Sequence, residues 1–298
     1  MSTFAGFSNC RAPLAPTTLL RLVCLILVLL AFLAVFGPPL RIAQICGSRV
    51  GRRAPVLFNR LICTGLRVKV RRHGKFSAAS KQLIVANHVS WLDIPVLGSL
   101  EPMCFLAKKE IGDHFASRGI VALQGVVYVD RCRRSCIPSV NALMAEAMGA
   151  GSSVVLFAEG TTSDGNRLLP FRSSHFEAVR LTPSSPDEDN PVIQPIYVAY
   201  TRLGGLPIGR RERPYIAWYG DMTFLPHFFQ FVRRGALTCD VYLGTPIQVS
   251  PALDRKSAAR LAEASVRGLR REARETLEPF VFSPREKPCG STGEGCNA

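Results

Sequence analysis

The segment Asn87-His88-Val89-Ser90-Trp91-Leu92-Asp93 directly follows the strand-like run Gln82–Ala86, so a histidine and a carboxylate stand five residues apart at a strand's end. Such a pair can do acid–base chemistry: the carboxylate fixes the ring's tautomer and stabilises the imidazolium formed when the ring accepts a proton. Residues 1–92 contain 13 Lys or Arg and no Asp or Glu, so Asp93 is the first carboxylate in the chain. A purely structural reading competes with this one. Ser90-Trp91-Leu92-Asp93 fits the S-x-x-D pattern of a capping box, in which Asp93 would serve only backbone N–H groups. Pro95 is best placed in a helix's first turn and disfavours helical geometry at Ile94, so the helix is expected to start near Pro95, with His88 and Asp93 facing each other across the turn before it. The stretch offers no third ligand at a spacing that suits a metal.

Two further segments carry chemistry-bearing residues. Gly125–Arg131 (GVVYVDR) reads as a strand ending in a charged pair, and Arg131 at its C-terminal edge could hold an anionic headgroup. Phe157–Gly165 (FAEGTTSDG) follows an apolar strand and offers Glu159, Gly160, Thr161 and Thr162, a loop able to present backbone N–H groups and hydroxyls to a ligand. Each has a bland counterpart, a surface Asp130–Arg131 pair and a hairpin turn. Pro195–Val198 (PIYV) by itself reads only as buried strand.

The elements that must position these residues alternate as in an α/β domain. Strands are expected at 67–70, 82–86, 104–107, 125–129, 153–157, 192–200, 215–219 and 239–243, and helices at 95–100, 112–123, 137–148, 175–181 and 257–277. Residues 183–191 read as an exposed loop and 283–298 as a disordered tail. Ten cysteines are scattered, which suits reduced thiols.

The net charge of +15 is concentrated at the N-terminal third, leaving +2 for the 206 residues after position 92. A basic surface seeks phosphate, from nucleic acid or anionic lipid. The neighbouring sequence favours lipid. Leu22–Phe36 is an unbroken apolar run of 15 residues followed by Gly-Pro-Pro; extended to 19–40, it makes a membrane anchor helix. Pro38-Pro39 and the lack of an A-x-A site argue against a cleaved signal peptide. Ten Lys or Arg lie between Arg41 and Lys75, which by the positive-inside rule puts the body of the protein in the cytoplasm. Arg49–Leu66 mixes arginines with apolar residues, as in a helix lying in the membrane interface or a core helix with a solvated basic face. Phe224, Leu225, Phe228, Phe229 and Phe231 precede Arg233 and Arg234, a pattern suited to the headgroup boundary or to a buried helix. No nucleic-acid-binding module accompanies the charge. These boundaries divide the chain into a tail (1–18), an anchor (19–40), a basic interfacial segment (41–66), a catalytic domain (67–282) and a C-terminal tail (283–298).

Taken in order, NHVSWLD, GVVYVDR, FAEGTTSDG and PIYV resemble the four blocks of the glycerolipid acyltransferase family, which includes 1-acylglycerol-3-phosphate O-acyltransferases. The resemblance covers about residues 67–250. It implies a single α/β domain with a mixed sheet flanked by helices. It also implies a reaction in which His88 deprotonates a lysolipid hydroxyl, Asp93 orients the ring, and the hydroxyl attacks the thioester of acyl-CoA or acyl-carrier protein, with no metal or organic cofactor. Arg131, Glu159 and Gly160 match acceptor-binding positions, while Pro195 and Ile196 match the fourth block, linked to the donor or the core. The product implied is phosphatidic acid. One departure stands out. The third block usually reads F-P-E-G-T-R, whereas here Ala158 replaces the proline and Thr162 the arginine thought to hold the acceptor's phosphate. Either Arg167 or Arg172 substitutes, or the acceptor is not a phosphomonoester. The E-G-T-T-S-D-G variant resembles bacterial lyso-ornithine lipid acyltransferases. A lipid-binding scaffold with an inactive acyltransferase fold is the non-enzyme alternative, and would require a broken site.

Overall fold

The computed structural model describes residues 15–108, 127–129, 134–183, 190–250 and 252–277. The predicted helix at 112–123, Arg131 and the C-terminal tail lie outside them.

Two helices come first. α1 (Pro16–Ile45) continues past Pro38 and Pro39, longer than the apolar run alone predicts. α2 (Arg49–Gly65) starts at Ser48, whose hydroxyl accepts from the Gly51 N–H at 3.0 Å. The helices pack through Phe32 and Phe58, 5.8 Å between ring centroids, and approach so closely at Gly65 that a β-carbon there would lie 2.3 Å from Leu25. The basic helix is two-faced: Ala54, Phe58 and Cys63 are buried, whereas Arg52, Arg53 and Leu57 are exposed. Leu22 joins the main core, but Leu20, Leu27, Val35 and Phe36 leave much of α1 as bare apolar surface. Residues 16–43 form the one helix, among those described, long and apolar enough to cross a membrane.

The α/β body follows. Its strands are β1 (Val68–His73), β2 (Gln82–Ala86), β3 (Cys104–Lys108), β4 (Val127–Val129), β5 (Ser153–Phe157), β6 (Val192–Leu203), β7 (Leu206–Pro207), β8 (Leu237–Leu243) and β9 (Ile247–Gln248). Their order is β1-β8-β6-β2-β5-β3-β4, with β7 and β9 also on β6. β2 pairs in parallel with both β5 and β6, while β8 runs antiparallel to β6, so the sheet is mixed. All five residues of β2 are buried, as a central parallel strand covered on both faces requires. On one face Ile84, Val198 and Val241 pack with α3 (Asp93–Gly98) and α6 (Phe224–Arg233); on the other Leu83, Val154 and Ile193 pack with α4 (Ile137–Gly149), α5 (Glu177–Leu181) and α7 (Arg255–Leu277).

Two sequence expectations are corrected. Residues 215–219 are not a strand: a 3₁₀ turn at Arg213–Tyr215 leads into an irregular segment. β2 and β8 already occupy both sides of β6, so this aromatic run joins no ladder and instead ties the Trp218 N–H to the Val89 carbonyl at 2.9 Å. α3 begins at Asp93 rather than near Pro95, which places the proline in its first turn, where its missing N–H costs nothing.

Candidate functional site

The register of the sheet builds the site. Ala86 of β2 is paired with Phe157 of β5, so His88 and Glu159, each two residues further on, leave the C-terminal edge side by side. β6 continues past the end of β2. There the Asn87 side chain takes the place of a strand peptide, its Nδ2–H donating to the Val198 carbonyl (3.1 Å) and its Oδ1 accepting from the Val198 N–H (2.8 Å). Two residues further along β6 and on the same face, Tyr200 reaches back over the turn.

His88 Nδ1–H donates to Asp93 Oδ2 at 2.8 Å. The same oxygen accepts from the Val89 and Ser90 N–H groups at 2.8 and 3.0 Å, and Oδ1 accepts from the Tyr200 hydroxyl at 2.6 Å. One carboxylate therefore both satisfies the backbone of the turn and holds the imidazole. Asp93 is fully buried, while the His88 side chain is 18% exposed. With Nδ1 committed as a donor, Nε2 carries the lone pair. Phe157 stacks flat on the ring, with centroids 3.9 Å apart. Burial, to which the Asp93 charge adds, holds the Tyr200 phenol well above its ordinary pKa, so it remains a donor.

The third-block loop folds around a tight turn. Gly160 has φ +70° and its N–H donates to the Phe157 carbonyl; a β-carbon there would meet the Arg172 side chain at 2.9 Å. Of the two arginines that could replace the missing third-block arginine, Arg172 is thus the one lying over this turn. Its own N–H donates to the Ala158 carbonyl at 2.8 Å. Thr161 and Thr162 occupy the accessible rim, and the Ser163 N–H donates to the His88 carbonyl at 2.9 Å. Glu159 is buried beneath, with no well-formed hydrogen bond to either carboxylate oxygen. Burial pushes its carboxyl up to about 8; the nearby His88 N–H works against this, the Asp93 charge adds to it, and the Leu169 N–H and Ser163 hydroxyl again oppose it. The folded protein therefore holds a proton that the unfolded chain releases above the ordinary value of 4.5. Stability is expected to fall as pH rises from there through about 8, by at most about 1.4 kcal/mol per pH unit. Unfolding midpoints of wild type and Glu159→Gln across that range test this: the variant's curve should be flatter, and parallel curves would refute it.

Trp91 connects the turn to the aromatic helix. Its Nε1–H donates to His227 Nδ1 (3.2 Å), whose Nε2–H donates to the Ala217 carbonyl (3.1 Å). Burial lowers the His227 pKa, consistent with a neutral ring. Phe231 is buried, whereas Phe224, Leu225 and Phe229 are exposed beside the site. Sequence reasoning missed Tyr200, Asn87 and His227 as parts of this arrangement. An isolated tyrosine or amide in an apolar strand context is the signal available for the first two.

The Acyltransferase family profile matches residues 67–199. The chain is 38% identical over 222 residues to a lyso-ornithine lipid O-acyltransferase of Brucella abortus, covering 74% of this chain and 83% of that one, and 38% identical over 218 residues to its counterpart in Rhizobium meliloti, covering 72% and 74%. A 1-acyl-sn-glycerol-3-phosphate acyltransferase of Neisseria gonorrhoeae is 36% identical over 96 residues, 32% of this chain and 38% of that one. In fold, the chain resembles the crystal structure of the 1-acyl-sn-glycerophosphate (LPA) acyltransferase PlsC from Thermotoga maritima, with a TM-score of 0.59 at 16% identity over 86% of this chain and 96% of that one.

Proposed function

The chain belongs to the acyltransferase family, and on that premise we propose that it is a membrane-bound lyso-ornithine lipid O-acyltransferase. The observation that carries the chemistry is a histidine whose Nδ1 is locked by a buried carboxylate and whose Nε2 is free. In the proposed step Nε2 takes the proton of the lysolipid hydroxyl as that oxygen bonds to the thioester carbonyl carbon. Asp93 stabilises the imidazolium. As the carbonyl re-forms, the C–S bond breaks and the imidazolium proton passes to the leaving thiolate, giving ester and free thiol. The thiol belongs to CoA or to an acyl-carrier protein. Glu159, Gly160, Thr161, Thr162 and Arg172 form the loop beside His88 that would receive the acceptor, with Arg131, outside the described residues, as a further acceptor-binding candidate. α1 anchors the enzyme, and the basic residues between 41 and 75 place the body against anionic lipid on the cytoplasmic face.

The acceptor is assigned from Thr162, which leaves the loop without the arginine expected for a phosphomonoester, and from similarity extending over most of the lyso-ornithine lipid enzymes' length. A second reading, 1-acylglycerol-3-phosphate with phosphatidic acid as product, is favoured by Arg172, which lies over Gly160 where a phosphate could be met. Purified full-length protein given labelled acyl-CoA or acyl-carrier protein with each lysolipid tests both. Labelled product is expected from lyso-ornithine lipid. Product from 1-acylglycerol-3-phosphate alone would establish the second reading, and product from neither acceptor with either donor would leave a lipid-binding scaffold.

A further inference from the structure

Next to the His88 turn lies a cavity of about 80 Å3 whose lining includes arginines that no motif of the sequence reading contains. It shares residues with the candidate site: Val89, next to His88; Gly165 of the third-block loop; and Tyr200, whose hydroxyl holds Asp93. Its cationic walls are Arg213, from the segment before the irregular aromatic run, and Arg270 and Arg274, one turn apart on α7; Asp164, Tyr197 and Thr201 also line it.

Three guanidiniums around one small cavity are an unusual concentration of like charge. Arg213 is tied to the Gly165 carbonyl and Arg270 to the Asn166 carbonyl, which aims both at the loop. The Nε of Arg213 is buried with no hydrogen-bond partner. Burial lowers the Arg213 pKa, and Arg274 and Arg270 are close enough to lower it further, against the opposing influence of Tyr197 and Asp164. Guanidiniums nevertheless remain charged in proteins, so the repulsion persists in the folded state. Asp164 is the carboxylate in the lining, and its oxygens already accept from the Asn166 N–H (2.9 Å) and Asn166 Nδ2–H (2.7 Å). Tyr197, also in the lining, bonds Arg270 but is neutral, so no second carboxylate of the lining offsets the other cations. A bound oxyanion would, and charge-assisted bonds from arginine are the strong ones.

We infer that this cavity is an oxyanion subsite that receives the free carboxylate of the acceptor headgroup, held by Arg213, Arg270 and Arg274. The inference rests on the acceptor proposed above. Ornithine joined through its α-amine to a hydroxyacyl chain keeps its carboxylate a short linker away from the hydroxyl to be acylated, and the cavity adjoins the catalytic turn through Val89 and through Tyr200, which bonds Asp93. It also offers a reason why Thr162 can stand where a phosphate-binding arginine is expected: the anion is met from the other side, by α7. Asp164, on the same wall, suits the ammonium of such a zwitterion.

The test compares binding of Nα-octanoylornithine with that of N-octanoylputrescine, the same molecule without its carboxylate, by titration calorimetry on the full-length protein. Wild type should prefer the carboxylate by about tenfold or more. Arg274→Gln, which breaks no hydrogen bond to the loop, and Arg270→Gln should each reduce that preference while keeping a cooperative thermal unfolding transition. In turnover they should raise KM for lyso-ornithine lipid about tenfold and leave KM for the donor unchanged. Equal binding of the two probes by wild type, or an undiminished preference in the folded variants, would overturn the inference. So would a rise in the donor KM instead, which would give the cavity to a phosphate of CoA or of the carrier's pantetheine arm. A wild type that prefers the carboxylate yet fails to acylate lyso-ornithine lipid would uphold the subsite and refute the proposed function, so the two fail separately.

Discussion

His88→Asn is expected to lower kcat by about 10²- to 10⁴-fold, the range supplied by a positioned general base, with KM for the lysolipid changed little. Asparagine is the informative replacement because its amide can donate to Asp93 Oδ2 in place of Nδ1–H, so the turn that carries Val89 and Ser90 keeps its bonds. His88 is partly exposed and packs against Phe157 on one side, so little core contact is lost and the unfolding midpoint should stay near that of wild type. The rate of labelled-product formation at saturating donor and acceptor, with thermal unfolding in parallel, checks both halves. A folded variant retaining more than a tenth of wild-type kcat would show that Nε2 does not take the hydroxyl proton.

The same residues show how much of the site could be read from the chain. His88, Asp93 and the Glu159–Gly160 turn were legible because each follows an apolar run short enough to be a strand, and chain proximity alone brings His88 to Asp93. The placement of β2 and β5 followed from their β-branched runs, and both strands match the expected bounds. What stayed hidden depends on the register between distant segments. Tyr200 is 107 residues from Asp93, and Asn87 is 111 from Val198; neither contact has a local signature, because it exists only once β6 lies beside β2 and outruns it. The arginine cavity is harder still to foresee, since Arg213, Arg270 and Val89 come from three segments brought together by folding. Propensity misled at 215–219, where aromatic and β-branched residues read as a strand but a 3₁₀ turn at Arg213–Tyr215 precedes them and the Trp218 N–H is taken by the Val89 carbonyl. At α3, the bonds that Asp93 accepts from Val89 and Ser90 set the helix start, overriding the local argument from Pro95.

Asp93 should separate geometry from charge. Asp93→Ala leaves the Val89 and Ser90 N–H groups and the Tyr200 hydroxyl without their acceptor in a fully buried place. Unsatisfied buried groups cost about 1–3 kcal/mol each, so this variant should lose about 2–5 kcal/mol of stability along with its activity. Asp93→Asn is different. Its side-chain oxygen can take the three bonds now made to Oδ2, and its amide can donate to the Tyr200 oxygen, which a hydroxyl accepts readily. The fold and the His88 tautomer are then kept, and what disappears is the negative charge beside the imidazolium. Denaturant unfolding should therefore show Asp93→Asn within about 1 kcal/mol of wild type while kcat falls about 10²-fold or more. Wild-type turnover in a folded Asp93→Asn would reduce Asp93 to a cap for the turn, and equal destabilisation of both variants would mean that the buried charge itself, rather than its acceptor geometry, secures the end of β2.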